Sequence, residues 1–330
     1  MAQGFSSCAQ GHTQHLSVQL MGSEMESGTQ GTPVLPEHLR NKHLDTLVEE
    51  HFFHIEDATL NAKADLGTLL GDVKVVLMGG AADRAEKIAV RLSTAFGWPV
   101  QPLGMRERYS LFKVGPVISM NHGIGSPSLM IILHELTKVL QRAGCKDVTY
   151  IRIGTSGGIG VTPGTIVVTS EGVNCELESV YEMTVLGKRR RLPAVFDKDL
   201  AEELAAVGKR LDFPVLVAKT MATDDYYEEQ GRLDGAVDCQ YSESEKMEWI
   251  QKVCEYGVRN MEMEGTALAA FCNRTGVRAA MVCAALLDRT KGDQTPDQAS
   301  PEQMGQWVSN SQELVVEWLR GKFTPLTTAA

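Results

Sequence analysis

The sequence predicts an α/β fold: a single domain with a central mixed β-sheet flanked by helices. Two observations carry that reading. Beyond residue 37, short apolar runs alternate with segments whose apolar residues recur every three or four positions, as strands alternate with amphipathic helices. Several runs, such as Val75-Val76-Leu77-Met78, are apolar on consecutive residues, as strands covered on both faces must be. No linker-like stretch and no internal repeat interrupts this pattern.

Residues 1–36 are rich in Gly, Ser, Gln and Thr without hydrophobic periodicity and are expected to form a disordered leader, with the folded domain over 37–330. Leu39, Leu44, Leu47 and Val48 predict a first amphipathic helix ending near His51. Strands are expected at 73–78, 109–114, 117–121, 148–153, 165–170, 214–221 and 279–286. Helices are expected at 83–95, 127–143, 199–209, 243–256, 263–275 and 302–320. Lys188-Arg189-Arg190-Arg191 reads as a solvated loop between strands.

Composition removes several function classes. With 330 residues and 43% hydrophobic content, the chain can bury a large core. A net charge of −10 argues against a general nucleic-acid-binding surface, which needs many cations facing phosphates. Seven cysteines occur without a C-x-x-C pair, several of them in apolar segments, as in reduced compartments. His134-Glu135 lacks the second histidine of a zinc helix and no G-x-G-x-x-G occurs, and neither a metal site nor a resident cofactor is expected. No apolar stretch reaches membrane-span length and no signal sequence opens the chain. A soluble, cytoplasmic protein is expected.

Two loops suggest an anion pocket. Ile151-Arg152-Ile153-Gly154-Thr155-Ser156-Gly157-Gly158 reads as an apolar strand running into a glycine-rich turn, with an arginine inside the run and a hydroxyl pair beside it. A buried arginine is costly unless an anion meets it, and glycines let amides approach oxygen atoms closely. The plainer alternative is an arginine paired with a protein carboxylate next to an ordinary turn. The second loop, Gly79-Gly80, joins an apolar strand to a helix with Arg84 in its first turn, where a cation is unfavourable unless something negative lies nearby. Neither loop matches the dinucleotide fingerprint or the P-loop, which points to a small free anion such as phosphate.

Two further segments carry recognition chemistry. In Glu229-Gln230-Gly231-Arg232, an extended backbone would project Gln230 and Arg232 to one side, offering donors and an acceptor to a planar ring with alternating C=O and N–H groups. A surface turn is the alternative. In Asn260-Met261-Glu262-Met263-Glu264-Gly265, Glu264 falls at a helix start, where it either caps the helix or accepts hydrogen bonds from a vicinal diol.

In this order and spacing, MGGAADR, ERY, IRIGTSGGIG, EQGRLDGA, NMEMEG and LLDRTKGDQ resemble the uridine phosphorylases, animal type, of the nucleoside phosphorylase superfamily, from about Leu39 to about Leu319. The resemblance implies a nucleoside-phosphorylase-like fold and reversible phosphorolysis of uridine to uracil and ribose 1-phosphate, with inorganic phosphate as co-substrate. It places phosphate on Gly80, Arg84, Arg152 and Thr155, with Arg108 reaching across from a neighbouring subunit. Uracil falls to Gln230 and Arg232, ribose to Met263 and Glu264, and the ribose 5′-hydroxyl to His51 of the neighbour. Tyr226, Leu286 and Leu287 are implied around the substrate, and a homodimer with shared sites is expected.

Two positions depart from the family pattern. Tyr226 stands where phenylalanine is common, and Asp288 precedes Arg289 where asparagine is common. Purine-cleaving relatives use a loop aspartate near that point as a proton donor to the base, so Asp288 sits uneasily with a pyrimidine substrate. The mechanism implied is electrostatic: Arg232 and Gln230 stabilise the departing base anion, and phosphate held by arginines captures the oxocarbenium-like sugar. The segment 290–300 is polar and Gly/Pro-containing, as a lid would be. A nucleosidase using water and a non-catalytic nucleoside-binding protein are the competing readings.

Overall fold

The computed structural model describes residues 34, 40–46, 51–57, 59–61, 63–105, 108–297 and 299–323. Eleven strands and seven α-helices follow in the order α1 (Leu66–Leu70), β1 (Val75–Gly79), α2 (Ala82–Phe96), β2 (Val100–Met105), β3 (Ser110–Val114), β4 (Val117–Asn121), α3 (Gly125–Arg142), β5 (Thr149–Gly158), β6 (Ile166–Val173), β7 (Val180–Val185), β8 (Lys188–Pro193), α4 (Lys198–Gly208), β9 (Val215–Ala222), α5 (Glu243–Glu255), β10 (Val258–Glu262), α6 (Gly265–Thr275), β11 (Arg278–Asp288) and α7 (Pro301–Phe323).

Nine strands form one mixed sheet in the order β10-β9-β6-β11-β5-β1-β4-β3-β2. Strands β4, β1, β5 and β11 are parallel neighbours, while β6 runs antiparallel to β11. The far edge curls back: β10 pairs in parallel with β9 and also antiparallel with the end of β5, through Asn260 opposite Gly158 and Met261 opposite Gly157. Strands β5, β11, β6, β9 and β10 therefore close into a ring.

Alternation along the central strands explains their continuous apolar runs. Val76, Met78, Tyr150, Met281 and Cys283 face a core with side chains of α1, α3 and α6, whereas Val75, Leu77, Ile151, Ile153, Val282 and Ala284 face the core built with α2, α4 and α7. A smaller core packs Ile250 and Val253 of α5 against Met221, Val258 and Met261. Arg152 alternates with Ile151 and Ile153, so it falls on the α3 and α6 face.

Several expectations need correction. The strand expected at 148–153 runs on to Gly158, because β11 pairs with it along one edge and β10 takes its other edge beyond β1. The glycines there serve close packing: an alanine methyl at Gly158 would stand 2.6 Å from the Leu287 carbonyl oxygen. The basic run is strand β8, paired antiparallel with β7, with Arg191 ion-paired to Glu178 and Glu182. Of the expected first helix, the described part is a short 3-10 helix, Lys42–Thr46; Leu39, Leu47 and Val48 lie outside the described residues. Val34, placed in the expected leader, is buried in the core and its amide donates to the Cys145 carbonyl at 3.3 Å. The rest of that leader lies outside the described residues.

Candidate active site

The C-terminal ends of β1, β4, β5 and β11 lie along one edge of the sheet, where ligands of open α/β sheets commonly bind. A cavity of about 810 Å³ opens there. It gathers Gly80, Arg84, Arg152, Thr155, Tyr226, Gln230, Arg232, Met263, Glu264, Leu286 and Leu287, every residue assigned above to this chain's own site. His51 and Arg108, expected to serve a neighbour's site, do not line it. His51 is half-exposed, 3.5 Å from Glu56, and Arg108 is exposed, its carbonyl accepting a hydrogen bond from Asn121.

One cluster is built around Arg152. On its strand face, Gly154 leaves the space into which the guanidinium folds; a methyl there would collide with it. Arg152 ion-pairs with Glu264 and, at 3.1 Å, with Glu262, and its Nε donates to His122 Nε2 at 3.2 Å. Burial works to lower the Arg152 pKa, but the Glu264 and Glu262 carboxylates outweigh it and hold the guanidinium charged. Burial and the adjacent Arg152 push His122 down to about 3, so it stays neutral.

The two carboxylates differ. Burial pushes Glu262 up to about 7, with Arg152 opposing and Glu264 reinforcing. Burial also works to raise Glu264, but Arg152, His122 and the Gly125 amide outweigh it and keep this carboxyl below its usual range. That amide, at the start of α3, donates to Glu264 Oε1 at 2.5 Å. The capping role considered for Glu264 belongs to Glu262, which accepts the amides of Glu264 and Gly265 at 2.9 and 2.8 Å. Glu264 is thereby left to face the cavity.

Arg84 stands in the first turn of α2, whose N-cap, Ala81, provides no side-chain cap. Burial and the neighbouring Arg152 lower its pKa, and among the described residues it has no carboxylate partner. Two arginines, an uncapped helix N-terminus and Thr155 form a site where an anion is favoured. The plain alternative for Arg152 also holds: it pairs with the protein carboxylates Glu262 and Glu264.

The second cluster surrounds Gln230 and Arg232. The backbone between them is a turn, with Gly231 at φ +65°, and not the extended segment expected. Both side chains nevertheless reach the cavity because the turn folds under α5 and the loop after β11. Arg232 stacks over the half-exposed Tyr226 ring at 4.3 Å, so the Tyr226 hydroxyl is not forced into a buried position. Arg232 Nε is buried without a hydrogen-bond partner among the described residues, a donor awaiting an acceptor. A register shift in β11 between Ala285 and Asp288 lets consecutive Leu286 and Leu287 both line the cavity.

Asp288 does not line the cavity. Its carboxylate accepts the Gly160 amide at 2.9 Å and the Thr290 hydroxyl at 2.7 Å, and it ion-pairs with Lys291. Burial works to raise its pKa, but these partners lower it, so it is an ionised loop brace and not a proton donor to a base.

Sequence reasoning missed Glu262, His122, Ile124 and Thr295 as site or supporting residues. Glu262 was one step from detection, since its alternation with Glu264 was visible; His122 and Ile124 lie in a glycine-bracketed loop with no chemical signature. Away from the cavity, Glu176, Glu178 and Glu182 cluster, with Arg191 against two of them.

A phosphorylase-superfamily model matches residues 74–320. The chain is 41% identical over 285 residues to uridine phosphorylase A of Schistosoma mansoni, covering 85% of this chain and 95% of that protein. It is 40% identical over 259 residues to the inactive uridine phosphorylase B of the same organism, covering 77% and 86%. The crystal structure of S. mansoni uridine phosphorylase in complex with uracil superimposes with a TM-score of 0.81 at 40% identity, covering 86% of this chain and 99% of that one. The chain belongs to the phosphorylase superfamily, among the uridine phosphorylases.

Proposed function

We propose that this protein catalyses the reversible phosphorolysis of uridine to uracil and ribose 1-phosphate. The observation that carries the reading is a single cavity lined by both an arginine pair beside a helix N-terminus, Arg84 and Arg152, and an amide–guanidinium pair, Gln230 and Arg232. The first set suits phosphate and the second a pyrimidine edge. Glu264, ionised and turned to the cavity, suits the ribose hydroxyls, with Met263 against the sugar.

As the glycosidic bond breaks, negative charge grows on the base and positive charge on the sugar. Arg232, with its unpartnered Nε, and Gln230 stabilise the base anion; phosphate on Gly80, Arg84, Arg152 and Thr155 stabilises and then captures the sugar. Phosphate is a co-substrate, and this scheme calls on no resident metal or organic cofactor. His51 and Arg108 complete the site from a second subunit of a homodimer, and the 290–300 segment, with Thr295 on the cavity, closes it against water. Among the described residues no helix is long and apolar enough to cross a membrane, and the buried thiols of Cys145, Cys272 and Cys283 are free, which supports a reduced, cytoplasmic setting.

The test is uracil release from uridine with and without phosphate. Phosphate-dependent release is expected. Release without phosphate would mean a hydrolase, and binding without release would place this chain with the inactive relative.

A further inference from the structure

A buried charge cluster in the loop after β11 has no part in the scheme above. Arg289, whose side chain is fully buried, donates through Nη2 to the Gln230 carbonyl at 2.5 Å, with Nη1 3.5 Å from Gln230 Oε1. Its Nε lies 2.8 Å from Asp293 Oδ1. Asp293 Oδ2 accepts from Lys246 Nζ of α5 at 2.5 Å, and the Asp293 carbonyl lies 3.5 Å from Arg232 Nη1. One residue thus touches the cation beneath Gln230 through its side chain and Arg232 through its backbone.

The surroundings make the Asp293 charge indispensable. The side chains of Lys246 and Arg232 are 5% and 7% exposed, and that of Asp293 is 11% exposed. Two buried cations, Arg289 and Lys246, therefore face this one carboxylate and a third, Arg232, meets its backbone carbonyl, while half-exposed Asp234 reaches Arg232 only at 3.8 Å. Buried cations persist only when paired. Arg289 Nε and Asp293 Oδ1 are within ion-pair distance without forming an aligned hydrogen bond, so charge couples them more than shape does. Residues 294–297 are exposed, which leaves Asp293 as the inward anchor of the segment that brings Thr295 to the cavity.

We propose that Asp293 is a positioning residue for base recognition: its carboxylate latches the 289–295 segment onto Lys246 of α5 and, through Arg289, sets Gln230 and Arg232 in the geometry that reads the base. The inference rests on the reading of Gln230 and Arg232 as the base-reading pair.

The test compares the full-length protein with Asp293→Asn, Asp293→Glu and Lys246→Met. It follows uracil binding by calorimetry, KM for uridine and for phosphate, and amide exchange over 289–297. Asp293→Asn should weaken uracil binding and raise the uridine KM roughly tenfold or more, leave the phosphate KM within about twofold, and speed exchange over 289–297 alone. Asp293→Glu should recover part of the loss. Lys246→Met, which keeps the Asp293–Arg289 pair, should shift the uridine KM in the same direction by about threefold, and it carries the test if Asp293→Asn does not fold. Unchanged uracil affinity in a folded variant, or losses shared equally by uridine and phosphate, overturns the proposal. A wild type that neither binds uracil nor cleaves uridine overturns the base-reading assignment instead. The latch is then judged by exchange: wild-type protection over 289–297 in Asp293→Asn would overturn it.

Discussion

Glu262 pairs with Arg152 at 3.1 Å while the same carboxylate accepts the amides that open α6. The guanidinium of the anion cluster is therefore tied to the helix start that presents Glu264. Together with the direct Arg152–Glu264 ion pair, this ties to one another the two ends of the cavity that we assign to phosphate and ribose.

That linkage has a pH signature. The folded-state pKa of Glu262 is raised to about 7, so its contribution to stability is present below its unfolded value and is lost as pH rises through about 7. Glu262→Gln removes the titrating group, with a pH-independent offset because one acceptor for the α6 amides is lost. The variant should gain on wild type steadily from about pH 4.5, the ordinary carboxyl value, to about pH 7, by a few degrees in Tm, and hold that gain above it. A difference independent of pH would mean that Glu262 is ionised throughout.

Arg84 and Arg152 should separate in their effects. Arg84→Ala removes a guanidinium with no carboxylate partner among the described residues, so the phosphate KM should rise about tenfold with little change in Tm. Arg152→Ala should raise the phosphate KM as well, and it should also lower Tm clearly, because two buried carboxylates lose their cation. Unchanged phosphate saturation in both variants would move the anion site elsewhere.

Arg232→Ala should lower turnover on uridine on the order of 10²–10³-fold and leave the phosphate KM unchanged, because Arg232 meets charge that develops only as the bond breaks. Turnover within threefold of wild type would remove Arg232 from the mechanism.

Subunit sharing can be tested by complementation. His51→Ala/Arg108→Ala subunits and Arg152→Ala/Glu264→Ala subunits should each be nearly inactive. Mixed dimers should regain activity approaching one working site, since one site then draws all four residues intact. No recovery, with exchange verified by mass measurement, would place His51 and Arg108 outside a shared site.

The sequence carried the layered architecture because burial on two faces leaves a mark in composition. The runs that became β1 and β11 are apolar on consecutive residues, and α2 to α7 show helical periodicity. What it hid has physical reasons. Strand β8 is Lys-Arg-Arg-Arg at its start and those four residues are exposed, so no alternation marks it. The reach of β5 to Gly158 depends on pairing with β10, more than a hundred residues away. Site residues with charged or amide side chains were legible from local chemistry. Glu262 was not, because its role follows from a partner, Arg152, on another strand, and His51 and Arg108 rested on family resemblance alone.

The closed ring of β5, β11, β6, β9 and β10 carries Arg152, Thr155 and Glu262 on a frame with little slack. Gln230 and Arg232 instead sit on a loop that leaves the ring after β9 and is held by another that leaves it after β11. The half of the cavity that we assign to the base is thus an attachment carried on loops, and the half that we assign to sugar and anion is the chassis. Exchanging residues 223–235 and 289–297 together should retune which base is accepted while phosphate handling is inherited intact. Exchanging either loop alone should strand Arg289 or Gln230 without its counterpart.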